Sequence, residues 1–297
     1  MKLFLMGSSQ TKHISEIYKD CGWKVECFVR RKHKLATIVV NLLKILGSDV
    51  IYNVGNFFYR NNNYLTAARI FRKKVIVHWI GSDVLTESRE IERKGKTKQN
   101  NDIHLAVSKD LQRELEQMSI KSFYVPIVPS TIPYPPAFEM PKKHAVLAYL
   151  PKGNETFYGW EKVKLLAKMF PDIPFYIVAN DGICEENIPE NIVFEGMLPH
   201  EQLVELYKKT SVLLRLTAHD GLPVMAIEAQ GFGRKVICSF GLPYAITPED
   251  ASDDALIIAF KKVVSSAPKL DTEAKEYVDT NFSHEKMLQM YKEFHLT

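Results

Sequence analysis

The chain has 297 residues but only four cysteines, Cys21, Cys27, Cys184 and Cys238, scattered without the spacing of metal ligands. That scarcity fits a reducing compartment and argues against a structural zinc site. Long apolar runs are missing as well. Nowhere do about 18 consecutive apolar residues occur, so no segment is expected to span a bilayer. The opening MKLFLMGSSQ offers only five apolar positions before Gly7, too few for a secretory leader, and reads as a strand and its turn. Internal repeats and low-complexity stretches are absent. The expected location is cytoplasmic.

What is present is ordinary in bulk and uneven in distribution. Hydrophobic residues make up 46% and charged residues 25%, typical of a globular protein, and the length suits two domains. Residues 1–150 hold 24 Lys+Arg against 13 Asp+Glu, a balance of +11; residues 151–297 hold 15 against 22, or −7. The basic half should prefer an anionic partner.

Short β-rich runs alternate with helical stretches throughout. Strands are expected at Lys2–Met6, Lys24–Val29, Val50–Val54, Lys74–Ile80, Ile103–Val107 and Ser122–Val125. They recur at Ala145–Leu150, Pro174–Val178, Ile192–Glu195, Ser211–Leu216 and Lys235–Cys238. Helices fall between them, including Lys12–Asp20, Ala36–Leu46, Tyr64–Phe71 and Lys109–Gln117, then about 160–169, 200–209, 222–230, 251–265 and 271–280. Such alternation implies α/β domains with parallel sheets wrapped on both faces. Residues 126–141 hold six of the fifteen prolines, a density that reads as a stiff interdomain connection. The expected division is a Rossmann-like domain over 1–135 and a second over 142–282. The amphipathic segment 283–297 (Met287, Met290, Tyr291, Phe294) should pack back on the first. Two doubly wound domains facing across a cleft would bind ligands at the strand C-termini.

The densest chemistry lies in RLTAHDGLPVMAIEAQG, Arg215–Gly231, after the apolar run Ser211–Leu214. A buried strand breaks at a polar turn, and a helix is expected to start at Gly221-Leu222-Pro223. Its N–H groups suit a phosphate. Asp220 sits at the turn and Glu228 eight residues on, two helical turns, so both can serve one pocket. Arg215 is a cation inside an apolar strand, costly unless paired; at the strand end it would face a diphosphate or pair with Glu228 or Asp220. The plainer alternative makes Asp220 a helix cap and Glu228 a solvated helix residue.

The segment HDGLPVMAIEAQGFGRKVI resembles the donor-site signature of retaining GT-B-fold glycosyltransferases of the family-4-like group, in which two glutamates flank seven residues. Asp220 and Glu228 have that spacing, with aspartate in the first place. The resemblance implies that Glu228 holds the ribose hydroxyls of a nucleotide-diphosphate sugar, UDP- or GDP-linked, and Asp220 the sugar hydroxyls. The backbones of Gly221, Leu222 and Val224 would lie near the diphosphate, Val224 because Pro223 has no N–H. The family also places an Arg and a Lys five apart in the loop after the first strand of the second domain, stabilising the leaving diphosphate in place of a metal ion. Here that loop is AYLPKGNETFYGW, with Lys152 as its one cation, Tyr158 at the lysine position and Lys162 on the next helix as a substitute. A surface lysine is the alternative for Lys152.

In the first half, KKVIVHWIGSDV resembles the strand whose terminal histidine faces the donor sugar, which makes His78 the match; a structural histidine is the alternative. Asp83 would cap the next helix or bond the acceptor. Gly7, in the turn Met6-Gly7-Ser8-Ser9, matches a glycine loop lining the cleft. Gly196 and Met197 match the loop whose backbone contacts the nucleobase.

The implied activity is metal-independent, retaining transfer of a sugar to an acceptor hydroxyl that is sugar, lipid-linked or polymeric, without a further cofactor. A sugar-nucleotide epimerase and a non-catalytic partner subunit of a glycosyltransferase are the alternatives. Arg30-Arg31-Lys32-His33-Lys34 precedes a helix apolar nearly all round, Leu35–Leu46, too short to span. It would lie on an anionic membrane at the inner face or be an ordinary buried helix. Arg69–Lys74 and Arg93–Lys98 add to the basic surface. Nucleic acid is not expected, since no binding motif or aromatic stacking pattern accompanies the charge.

Overall fold

The structure, a computed structural model, describes residues 1–8, 10–55, 62–95, 101–128 and 139–296, without the side chains of Lys94, Phe294, His295 and Leu296. Most of the proline-rich connection expected at 126–141 lies outside the described residues. So do Ser9, residues 96–98 of the Arg93–Lys98 cluster and the Phe294 side chain.

The chain divides into two compact units. One comprises Met1–Ser130, Asp220–Leu222 and His284–Thr297; the other comprises Thr131–His219 and Pro223–Ser283. In the first, strands β1 (Lys2–Gly7), β2 (Lys24–Cys27), β3 (Val50–Val54), β4 (Lys74–Trp79), β5 (Ile103–Ala106) and β6 (Ser122–Tyr124) form a six-stranded sheet in the order β2-β1-β3-β4-β5-β6. All pairings are parallel. Helices α1 (Thr11–Asp20), α2 (Lys34–Leu46), α3 (Asn63–Ile70), α4 (Ser82–Lys94) and α5 (Lys109–Gln117) connect them. Local chemistry sets several starts: Asn62 accepts from the N–H groups of Tyr64 and Leu65, and Ser108 from that of Leu111, filling orphan donors of the first turn. Every residue of β3 is buried, as expected of a strand covered on both faces.

The second unit repeats the plan. Strands β7 (Val146–Tyr149), β8 (Phe175–Val178), β9 (Ile192–Gly196), β10 (Val212–Arg215) and β11 (Lys235–Cys238) run in the order β11-β10-β7-β8-β9, again all parallel. Helices α6 (Trp160–Met169), α7 (His200–Lys209), α8 (Val224–Gly231), α9 (Asp253–Val264) and α10 (Thr272–Asn281) belong to it. Its core joins Val146, Ile177, Leu214 and Ile237 of the sheet to Phe260 of α9 and Trp160 of α6.

Helix α11 (His284–Leu296) belongs to the first unit. Tyr291 packs edge-on against Tyr18 at 5.6 Å, Tyr18 in turn against Tyr52 at 5.7 Å, and His284 Nε2 lies 2.9 Å from Asp20 Oδ2. All eleven strands fall where the alternation placed them, within two residues at each end. The strand order reverses beside β1 in one sheet and beside β7 in the other, and such switch points are where doubly wound sheets take ligands.

Candidate functional site

In the second unit the switch point lies between β7 and β10, and Arg215 stands at the carboxyl end of β10. Its guanidinium sits over two rings, Tyr149 of β7 and Tyr158 of the following loop, each 5.0 Å from the centroid. The rings meet edge-on at 5.3 Å. Two aromatic faces thus hold the cation at the sheet's carboxyl edge, where the sequence suggested a diphosphate or an ion pair. Tyr158, where the resemblance implied a lysine, holds a positive charge rather than carrying one. The loop must pass very close to β10 to do this. A Cβ on Gly159, whose φ is +80°, would fall 2.4 Å from the Leu216 carbonyl oxygen, so only glycine fits.

Glu228 lies on α8, whose residues Ala226–Gly231 are all buried. It is 3% exposed, which removes the reading as a solvated residue. His200 Nε2 donates to Oε1 at 2.9 Å and the Tyr207 hydroxyl to Oε2 at 2.9 Å. Because an ionised carboxylate only accepts, His200 carries its proton on Nε2. Tyr207 is itself fully buried, stacked on Phe232 at 5.1 Å, while the His200 side chain is 45% exposed. One carboxylate oxygen is therefore fixed from the core and the other from a solvent-accessible side. Tyr207→Phe should leave the fold intact and weaken any ligand bound through Glu228 by about three- to tenfold, the worth of one orienting hydrogen bond. Unchanged affinity by calorimetry would assign Tyr207 a packing role only.

The helix begins later than expected. Pro223, at ψ 80°, holds the N-cap position, where it offers no capping side chain, and α8 starts at Val224. Asp220 lies outside that helix: its Oδ1 accepts from Gly221 N at 2.9 Å, and Asp220, Gly221 and Leu222 group with the first unit. Val224 stays with α8, and its N–H stands in the first turn, where backbone donors lack intrahelical acceptors.

Lys152 follows β7 and pairs with Asp181 at 2.5 Å, both exposed. The hydrogen bond to Asp181 raises the lysine pKa and depresses that of the carboxyl. Lys162 donates to the Ala251 carbonyl at 2.9 Å. Gly196 closes β9 with φ +69°, its carbonyl accepting from Ala179 N at 2.7 Å; Met197 beyond it is 80% exposed.

In the first unit two expectations change. His78 is fully buried on central strand β4, with Nε2 donating to the Val125 carbonyl at 2.7 Å and Nδ1 accepting from the Tyr52 hydroxyl at 2.8 Å. The carbonyl can only accept, which fixes the tautomer. Burial lowers its pKa to about 3. Both nitrogens are committed and the ring is closed off, so His78 is a structural core residue, not one whose imidazole faces a sugar. Gly7 has φ +122°, and a Cβ there would fall 1.9 Å from the Val54 carbonyl oxygen. Its close approach is to the neighbouring strand. Asp83, 1% exposed, accepts from the N–H groups of Ile80 and Gly81 and so braces the turn before α4.

Among the described residues no group of three or more His, Cys, Asp or Glu is placed to hold a metal ion. Sequence reasoning singles out Arg215 and Glu228 but not the side chains that hold them, Tyr149, His200 and Tyr207. The one available signal was His200 itself, a polar residue directly after Pro199 at a helix start.

The two sheets define the class: paired Rossmann-like parallel α/β units, the fold of the GT-B glycosyltransferases. Among solved structures, the chain is similar to a sucrose-phosphate synthase from Thermosynechococcus elongatus, with a TM-score of 0.74 at 13% identity over 99% of this chain and 98% of that one. It is also similar to TarM from S. aureus, in a complex with UDP, with a TM-score of 0.63 at 12% identity; that match covers 85% of this chain but 58% of TarM. A UDP-GlcNAc 2-epimerase from Neisseria meningitidis matches over the full length of both chains, with a TM-score of 0.54 and 13% identity. At such identities the likeness is one of fold. No protein-family model matches the sequence, and no curated protein matches it.

Proposed function

We propose that the protein is a retaining, metal-independent glycosyltransferase that takes a UDP- or GDP-linked sugar at the carboxyl edge of the second unit's sheet. The observation that carries this reading is the pairing, in that unit, of a cation held at the switch point with a buried, oriented carboxylate on the following helix. Arg215 and the first N–H groups of α8 meet the diphosphate. Ribose hydroxyls reach Glu228 from the His200 side, the one open to solvent. The pair Lys152–Asp181 is exposed and screened by solvent, so Lys152 can leave it for a doubly charged phosphate. Asp220 is assigned to the sugar hydroxyls by the resemblance of the motif, since it lies outside α8 and the two-turn helical spacing does not apply to it. The leaving group is stabilised by fixed positive charge rather than by a nucleophilic side chain. The acceptor is a hydroxyl of a glycoconjugate, lipid-linked or polymeric.

Arg215→Ala should weaken UDP or GDP about tenfold or more while leaving affinity for the bare nucleoside unchanged, because the lost contact is to phosphate. An equal loss for nucleoside and diphosphate would place Arg215 elsewhere. A second reading, sugar-nucleotide epimerisation, is favoured by the full-length likeness to the epimerase. Tyr158 in place of the family's lysine supports a third, a non-catalytic subunit that binds donor without turnover. Proton NMR of the anomeric region across a panel of UDP- and GDP-sugars separates them. Hydrolysis or transfer supports the glycosyltransferase; a new epimer in the absence of acceptor supports the second reading. Binding without turnover supports the third.

A further inference from the structure

Helix α2 turns its apolar stripe toward solvent. Leu35, Ile38, Val39, Leu42, Leu43 and Leu46 recur at the spacing of a single helical face. Leu35 is 73% exposed and Leu43 62%, while the helix buries only Asn41 and Ile45. A helix serving its own core does the reverse, and the reading as an ordinary buried helix does not hold. Asn41 fixes the orientation. Its Oδ1 accepts from Val29 N at 3.0 Å and its Nδ2 donates to the Val29 carbonyl at 2.8 Å. The preceding loop is pinned a second time, Arg31 N donating to the Thr37 hydroxyl at 2.8 Å.

That pinned loop carries the cations. Arg30, Arg31, Lys32 and Lys34, with Phe28 and Thr37, line a depression of about 470 Å³. Residues 28–46 contain five Lys or Arg and no Asp or Glu. At about 1.5 Å per residue the helix cannot span a bilayer, and among the described residues no helix is long and apolar enough to cross one.

We propose that α2 and the loop before it dock on an anionic lipid bilayer, the stripe entering the interface and the Arg30–Lys34 basin holding lipid headgroup phosphates. A soluble polyanion would account for the cations but leave the exposed stripe without purpose. An apolar protein partner would account for the stripe but not for a run of cations with no acid in the same stretch, residues 28–46. Fixed positive charge beside an exposed apolar helix face is what a negatively charged interface complements. The proposal stands whether or not the second unit takes a nucleotide sugar.

Co-sedimentation of the full chain with vesicles tests it, using phosphatidylcholine alone and phosphatidylcholine with about one-third phosphatidylglycerol. The expected result is binding to the mixed vesicles and little to the neutral ones. Both the triple variant Arg30→Glu, Arg31→Glu, Lys32→Glu and the double variant Leu35→Ser, Leu43→Ser should lower partitioning by about tenfold or more. All five positions are exposed, and circular dichroism checks that the fold is kept. Failure of the wild type to pellet with the mixed vesicles would overturn the proposal. Undiminished binding by the leucine variant, with equal binding to soluble heparin, would replace it by polyanion docking. A dimer in solution that the leucine variant dissolves would replace it by self-association.

Discussion

Replacing Glu228 by alanine is expected to lower affinity for UDP or GDP by about 10- to 100-fold. Hydrogen bonds to a charged acceptor contribute about 1.5–3 kcal/mol, and two ribose hydroxyls on one carboxylate place the loss in that range. The substitution also has a structural cost. Glu228 accepts from Tyr207, and its removal leaves that buried hydroxyl the longer bond to the Met225 carbonyl at 3.3 Å, a loss of about 0.5–1.5 kcal/mol of stability. Glu228→Gln separates the two effects, since the amide oxygen still accepts from Tyr207 while the negative charge is gone. Glutamine should restore most of the thermal stability and little of the affinity. Unaltered nucleotide binding in both variants, by calorimetry, would remove Glu228 from the site.

Acid should destabilise the first unit before most carboxylates titrate. Burial lowers the pKa of His78 to about 3 and that of His104 to about 4. The unfolded chain titrates these imidazoles near the usual 6.5. Above that value both states are neutral and the histidines contribute nothing to pH dependence. As pH falls below 6.5 the unfolded chain takes up protons that the native state refuses, so stability declines. At about 1.4 kcal/mol per pH unit for each group, the two together cost roughly 4 kcal/mol by pH 5. Against a typical total of about 5–15 kcal/mol, that is a large share. The loss slows near pH 4 and again near pH 3, where the native histidines protonate in turn. Urea unfolding from pH 7.5 to 5 measures the slope, and NMR of the His78 ring should find it neutral throughout. Stability flat over that interval would mean that the rings are hydrated.

The elements were legible in the sequence because each strand is a short apolar run bounded by turn residues, and covered parallel strands carry little else. Helix α8 was misplaced at its start. Gly221-Leu222-Pro223 carries the residue types of a helix opening, but Pro223 stays outside the helical region and the first turn waits for Val224. His78 was misread for a different reason. Its partners, Tyr52 and the Val125 carbonyl, come from other strands, and no local pattern distinguishes a satisfied core histidine from a ligand-facing one. Arg215 stood out as a cation in an apolar strand, yet its holders Tyr149 and Tyr158 are ordinary aromatics until the sheet brings them together. The solvent-facing stripe of α2 was equally hidden. A helix apolar nearly all round does not say which face it buries, and the answer lies in Asn41 and the Val29 backbone.

A nucleotide diphosphate is proposed to bind at the carboxyl edge of the second unit's sheet. Amide hydrogen exchange, followed with and without saturating UDP or GDP, tests it most directly. Binding there should slow exchange in the loop from Leu150 to Gly159, at Gly196–Met197 and across the first turn of α8 from Val224. Protection confined to the first unit, or none with either nucleotide, would contradict it.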